Sequence, residues 1–251
     1  VGVIKNGRPA VDYSIIGGHR TCVNSLDVRV LGVAGGSMVR ARKGEVIDVG
    51  PRSAHIAGMG YACFTDPALF DGAELYHIQP RSNDPADYIA IRLNNGESVT
   101  ITNTCAANVL GILEDGDYAR GNYESSCKAI QLLADEVGLS LEGTAEAILT
   151  KSSDKIIPVI EDLIMKYKIE RDQIVLVGAG GGAGTLLTFT ANRLKFKYQI
   201  PINAEVISSI GVALAMVREM VERTIPNPTA ADIAQLKKEA KALAMNSGAV
   251  E

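Results

Sequence analysis

The chain has 251 residues, 47% of them hydrophobic and 22% charged, with a formal net charge of −4. That balance fits an ordinary globular chain with ample core, and the absence of a basic block argues against a nucleic-acid face. Aromatic residues make up 5% with no Trp, which argues against stacking platforms for single-stranded nucleic acid, and no apolar stretch approaches the roughly 20 residues that span a bilayer. Residues 1–12 (VGVIKNGRPAVD) read as a β-hairpin turning at Asn6-Gly7, because that dipeptide accepts positive φ at both central turn positions. A chain that opens inside a hairpin, with no initiator Met and no leader, reads as a piece of a longer polypeptide. Residues 27–33 (DVRVLGV) alternate as a strand and run into Ala34-Gly35-Gly36-Ser37. Residues 38–41 and 46–49 make a hairpin around Lys43-Gly44, which Gly50-Pro51-Arg52-Ser53 breaks. Residues 65–87, rich in Asp, Pro and Asn, read as a surface excursion. Residues 88–93 and 98–102 form a further hairpin at Asn95-Gly96.

Helical periodicity takes over from there. Residues 123–137 carry Ile130, Leu133 and Val137 at helical spacing, with Gly138 as a stop. Residues 142–167 have the same pattern, and Pro158 predicts a kinked helix or two helices. The run IVLVGAGGGAGT (174–185) begins with four consecutive apolar residues, the pattern of a strand buried on both faces, and a helix is predicted over 186–194. A strand at 198–202, a helix over 205–224, a break at Pro226-Asn227-Pro228 and a charged helix over 230–244 complete the chain. This order predicts an α/β fold with a mixed sheet, flanking helices and antiparallel hairpins in its first part.

The chemistry-bearing features are few. Gly178, Gly180, Gly181, Gly182 and Gly184 let backbone approach a ligand closely, and the helix start behind them adds free N–H groups and partial positive charge. Taken alone, the run fits a nucleotide loop and a tight turn after a core strand equally. It matches the loose dinucleotide pattern G-x-G-x-x-G/A, but it stands two-thirds along the chain and is not followed by the expected acidic strand end. No Walker-type phosphate loop and no G-x-S-x-G nucleophile are present. Arg52 could fork onto a carboxylate or phosphate, Ser53 brings a hydroxyl, and His55 could move a proton near neutral pH. These three are the candidate catalytic residues, against the plainer reading of a surface Arg and a capping Ser. His19, His55 and His77 lack metal-chelating spacing. Cys22, Cys63, Cys105 and Cys127 form no C-x-x-C pair, so no metal site is expected and a reduced, cytoplasmic setting is the default. Cys63 and Cys105 read as small buried apolar residues, with Cys105 partly exposed at a strand-to-helix junction.

Four collinear segments together resemble the hydantoinase/5-oxoprolinase family. They are VLGVAGGSMVRARKGEVIDVGPRSA (30–54), VTITNTCAANVLGIL (99–113), IVLVGAGGGAGTL (174–186) and INAEVISSIGVAL (202–214). The resemblance implies a ribonuclease-H-like fold of the actin-like ATPase type, with ATP and Mg²⁺ between two halves. It also implies ATP-dependent opening of a small cyclic amide, hydantoin or 5-oxoproline, through a phosphorylated intermediate. This chain would be most of the second half, residues 1–225, followed by a C-terminal helix over 226–251. The N-terminal half of the polypeptide and both main phosphate loops would lie outside it, and a second subunit is a further implied partner. On the same resemblance, Gly180, Gly181, Gly182 and Gly184 lie against the adenosine and α-phosphate. Ser208 and Gly211 lie on the helix closing that half, and Gly35, Gly36 and Ser37 lie near the cleft. His55, Cys105 and Thr185 depart from the family pattern at a glycine, an aspartate and the segment that carries a histidine. Three other readings stand beside this one: a non-catalytic nucleotide-binding or activator module of the same superfamily, a ketone carboxylase subunit, and a dinucleotide-dependent oxidoreductase.

Overall fold

A computed structural model describes residues 1–16, 19–215, 217 and 219–250. They form two compact units, Val1–Glu205 and Val206–Glu251. The division falls upstream of the proline break at 226, because the short helix after Glu205 buries none of its residues.

The first unit opens with strands β1 (Ile4–Lys5) and β2 (Arg8–Pro9), paired antiparallel. The turn between them is the expected one: Asn6 and Gly7 sit at φ 52° and 73°, the double positive φ that matches strand twist. Strands β3 (Val11–Ile16) and β4 (His19–Leu26) form a longer antiparallel ribbon. Residues 27–33 do not continue as a strand. Only Val28 makes a β-bridge, to Gly2. The flanking groups are engaged elsewhere: the Arg29 N–H donates to the Val1 carbonyl, and the Asp27 carboxylate is drawn to Lys166 and Tyr167.

A six-stranded mixed sheet forms the core. Its strands are β5 (Ser37–Arg42), β6 (Glu45–Ser53), β7 (Gly60–Tyr61), β8 (Glu74–Ile78), β9 (Tyr88–Arg92) and β10 (Ser98–Thr100). The order is β6-β5-β9-β10-β7, with β8 also paired to β9. The predicted hairpins β5–β6 and β9–β10 are present, and β7 runs parallel to β10. Two expectations fail here. Residues 50–53 do not break β6, because β6 is an edge strand whose register shifts opposite Ser37–Val39, and an edge tolerates the missing proline donor. The excursion over 65–87 hides β8, whose five residues lie between turn-rich flanks and pair with β9 from Glu74↔Arg92 to Ile78↔Tyr88. Tyr88, Ile89, Ala90 and Ile91 are fully buried, which makes β9 the centre of the sheet.

Helices α1 (Asn103–Val109), α2 (Tyr123–Val137) and α3 (Leu141–Tyr167) cover the sheet. Asn122 caps α2 at the Ser125 N–H, and Gly138 at φ 74° ends it as predicted. α3 is one helix that passes through Pro158, which lies on its exposed side, while Ile148, Leu149, Ile160 and Leu163 are buried. Cys63 and Cys105 are both fully buried, so the expected partial exposure of Cys105 is not found. The thiol contact with Cys105 and burial together push the Cys63 thiol up.

Strand β11 (Val175–Val177), helix α4 (Ala183–Leu194) and strand β12 (Lys197–Gln199) follow, with β11 and β12 parallel. β11 is not buried on both faces. Val175 is 49% and Val177 61% exposed, because β12 is the only strand that pairs with β11 among the described residues and its outward side chains stand over a cavity. The fold is α/β, with a mixed sheet, flanking helices and antiparallel hairpins in its first part, as the sequence predicts.

In the second unit, helix α5 (Ile207–Ala213) ends well before Thr224, and Met216 and Arg218 of the expected helix lie outside the described residues. Val212 and Leu214 are 77% and 76% exposed, and a helix this short gains little without packing. Helix α6 (Ala230–Asn246) is opened by a capping box between Thr229 and Asp232.

One ionic clamp ties the β3–β4 ribbon to the end of α3. Lys166 Nζ lies 2.5 Å from Asp12 Oδ2 and 2.6 Å from Asp27 Oδ2, and the Tyr167 hydroxyl donates to the same Asp27 oxygen at 2.6 Å. The hydrogen bond from Lys166 holds the Asp12 carboxyl down at about 2. Burial would raise Asp27, but hydrogen bonds from Lys166 and Tyr167 outweigh it and hold that carboxyl below its usual range. Both acids have folded values below their unfolded ones. The clamp is therefore complete above the ordinary carboxylate range and is lost as pH falls from about 4 toward 2. Thermal melting should drop across that interval, and the drop should shrink in Lys166→Met. An unchanged acid slope in that variant would show that the clamp is not the source.

Candidate functional site

Two glycine loops meet beside a cavity of about 990 Å³. The first, Ala34–Gly35–Gly36, enters β5, and Ser37 closes it by accepting the Ala34 N–H at 2.9 Å. The second, residues 178–182, leaves β11 and enters α4. Gly180 takes φ 94° and donates its N–H to the Ala204 carbonyl at 2.7 Å, which turns the chain toward the helix. The loops touch at Gly35 and Gly182. A Cβ on Gly35 would lie 3.3 Å from the Gly182 Cα and 3.1 Å from Thr104 Oγ1. A side chain at Gly35 would therefore press on the second loop, which would have to give by a few tenths of an ångström even for a methyl group.

The seam is rich in unused donors. The N–H groups of Gly35, Gly36, Gly181 and Gly182 meet no acceptor among the described residues. Thr185, in the first turn of α4, is fully buried and its hydroxyl has no hydrogen-bond partner. That hydroxyl lies 3.4 Å from where a Gly35 Cβ would be, so it faces the seam. The α4 macrodipole adds partial positive charge at the same point. The Asp117 carboxylate abuts Gly184 there.

Elsewhere the cavity is apolar. Its walls include Ile156, Ile160, Val175, Leu186 and Leu187, with Tyr61, Phe64 and Tyr118 at the glycine loops. Burial, with Cys63 and Cys105 nearby, pushes the Tyr61 hydroxyl up. No carboxylate, imidazole, lysine or arginine side chain lines the cavity among the described residues. The arrangement can hold a small anion on backbone donors beside a flat apolar group. Among the described residues, the ionisable side chains on its walls are the phenols of Tyr61 and Tyr118.

The structure gathers Gly35, Gly36, Gly180, Gly181 and Gly182 around this cavity. Gly184 lies behind them against Asp117 and Leu113, and the Ser37 hydroxyl is occupied within its own loop. Ser208 and Gly211 belong to α5 of the second unit. Arg52, Ser53 and His55 do not line the cavity. Arg52 is held by Asp84 at 2.7 Å, Ser53 accepts the Ile56 N–H, and His55 lies exposed in the following turn. Sequence reasoning missed Tyr118 and Asp117 as neighbours of the glycine loop, whereas Thr185 stood at the end of the run it singled out. The only local signal was aromatic scarcity, which makes any exposed tyrosine beside a glycine run worth noting.

Among the described residues, no cluster of His, Cys, Asp or Glu could hold a metal ion, and no helix is long and apolar enough to cross a membrane. A comparison with curated proteins finds no match. The fold is similar to the crystal structure of an ATP-dependent caprolactamase from Pseudomonas jessenii, with a TM-score of 0.53 and 24% identity over 90% of this chain. The match spans 30% of that protein's length. The family description "Hydantoinase/oxoprolinase" matches residues 1–221, and the chain belongs to the hydantoinase/oxoprolinase family.

Proposed function

We propose that this chain is the nucleoside-side wall of an ATP site in an ATP-dependent hydrolase of cyclic amides. The observation that carries the proposal is the seam of Gly35 and Gly182, with four N–H groups that meet no acceptor among the described residues, beside an apolar cavity. Backbone donors at a helix start suit the α-phosphate, and the apolar walls suit the nucleoside. ATP would supply a phosphoryl group that, once on an amide or carboxylate oxygen, makes the attached carbon a better target for water and departs as phosphate. The residues present do not fit Mg²⁺, because no carboxylate side chain lines the cavity among the described residues. The cyclic amide, of the hydantoin or 5-oxoproline type, and the N-terminal half of the polypeptide complete the proposal. The Pseudomonas protein is described as acting on a lactam with ATP, and its fold supports this reading.

Titrating the 251-residue chain with a fluorescent ATP analogue tests it. Saturable binding that unlabelled ATP reverses is expected, with no turnover of ATP at an ordinary enzymatic rate. Absence of saturation at millimolar nucleotide would overturn the reading. A second reading, a nucleotide-binding or activator module without catalysis, is favoured by walls on which, among the described residues, the ionisable side chains are two phenols. ATP-dependent opening of hydantoin or 5-oxoproline by the longer polypeptide would remove it.

A further inference from the structure

We infer that Tyr118 is the stacking residue for the base of the nucleotide, positioning it at the second glycine loop; this rests on the proposed nucleotide site. Tyr118 is 74% exposed, the highest value among the described aromatic residues. Its backbone is nevertheless held on both sides. Ala119 donates its N–H to Asp117 Oδ1 at 2.9 Å, and buried Asn108 donates to the Ala119 carbonyl at 3.0 Å. Asn108 Oδ1 also accepts the Gly121 N–H at 2.8 Å. Fixed backbone under an exposed ring is what a ligand contact needs and what core packing does not require.

The ring lies directly over Gly181. A Cβ there would come 2.7 Å from Tyr118 Cδ1, closer than atoms tolerate, so the glycine is what admits the ring to the loop. On the other side of the seam, the Tyr61 hydroxyl lies over Gly36, and the Tyr61 ring packs on Phe64 with centroids 5.8 Å apart. The cavity thus has an aromatic edge on each flank of its donors. A phosphate alone would use the N–H groups and ignore the rings. A purine nucleotide uses both, and its base gains from stacking whichever hydrogen-bonding edge it presents.

Three variants test this in the full 251-residue chain. Tyr118→Trp introduces the only tryptophan. Its emission should be quenched by adenosine and by ATP and left unchanged by inorganic tripolyphosphate. Tyr118→Ala should weaken ATP by about tenfold, as expected for one stacked base, and leave tripolyphosphate competition unchanged, whereas Tyr118→Phe should bind ATP like the parent. ATP bound equally well by Tyr118→Ala, or saturating Tyr118→Trp without altering its emission, overturns the stacking role while the nucleotide site stands. Failure of the unaltered chain to bind ATP overturns both.

Discussion

Gly50→Ala is expected to lower the thermal midpoint of the first unit by about 5–15 °C, from a loss of roughly 2–5 kcal/mol. Gly50 lies at φ 76°, a conformation that an L side chain enters only with strain. A Cβ there would also collide with the Gly32 carbonyl oxygen, which is backbone and cannot rotate away. The neighbourhood is fixed. The buried Tyr88 hydroxyl donates to the Gly50 carbonyl at 3.0 Å, and Lys155 Nζ donates to the Val49 carbonyl at 2.6 Å. Relief must come from moving residues 32–36, which carry the first glycine loop. Weakened nucleotide binding should therefore accompany the lost stability. Circular dichroism melting reads the first effect, and a midpoint equal to the parent's would remove the steric argument. Gly44→Ala is the companion variant. Gly44 has positive φ but open space around it, so it should cost only the backbone term, about 1–2 kcal/mol.

The second large effect concerns the seam itself. Gly35→Val is expected to reduce nucleotide affinity by about 100-fold or more. Its side chain would press on Thr104, Gly182 and Thr185, part the loops, and disperse donors that contribute roughly 1.5–3 kcal/mol each to a charged acceptor. Because that variant also strains the fold, Gly182→Ala provides the graded test. Its Cβ would meet the Gly35 Cα at 3.4 Å, an ordinary contact, and its φ of −106° suits any residue. Melting should stay near the parent value while the methyl group covers part of the donor surface and affinity falls severalfold. Affinity unchanged in both variants would place the ligand elsewhere.

Much of the fold was legible because its signals are local. Asn6-Gly7 specifies a turn by its own φ preferences, and Gly138 ends α2 for the same reason. The failures arise where neighbours decide. Gly50-Pro51 looks like a break until β6 is known to be an edge strand. Four apolar residues before the glycines look buried until β11 is found with a cavity on one side. The helix predicted through Thr224 had periodicity but no surface to pack on within its own unit. At the site, each glycine loop was visible alone, and the resemblance to the family suggested that both serve one cleft. Contact between Gly35 and Gly182 lies far apart in sequence, so no local pattern encodes it. Tyr118 was invisible for a like reason: its partner, Gly181, is distant along the chain.

Helix α3 spans 27 residues, or about 40 Å at 1.5 Å per residue. Near its end, Lys166 and Tyr167 grip the β3–β4 ribbon; at its middle, Lys155 ion-pairs with Asp48 of the edge strand β6, and Ile156 and Ile160 form cavity wall. Three sites share one rigid rod. Its amides should therefore exchange with deuterium as a single block rather than turn by turn. Occupancy of the cavity should slow that exchange as far out as Tyr167, and loosening the ribbon clamp should quicken it at the cavity wall. The rod would make ligand and ribbon thermodynamically audible to one another without a change of shape.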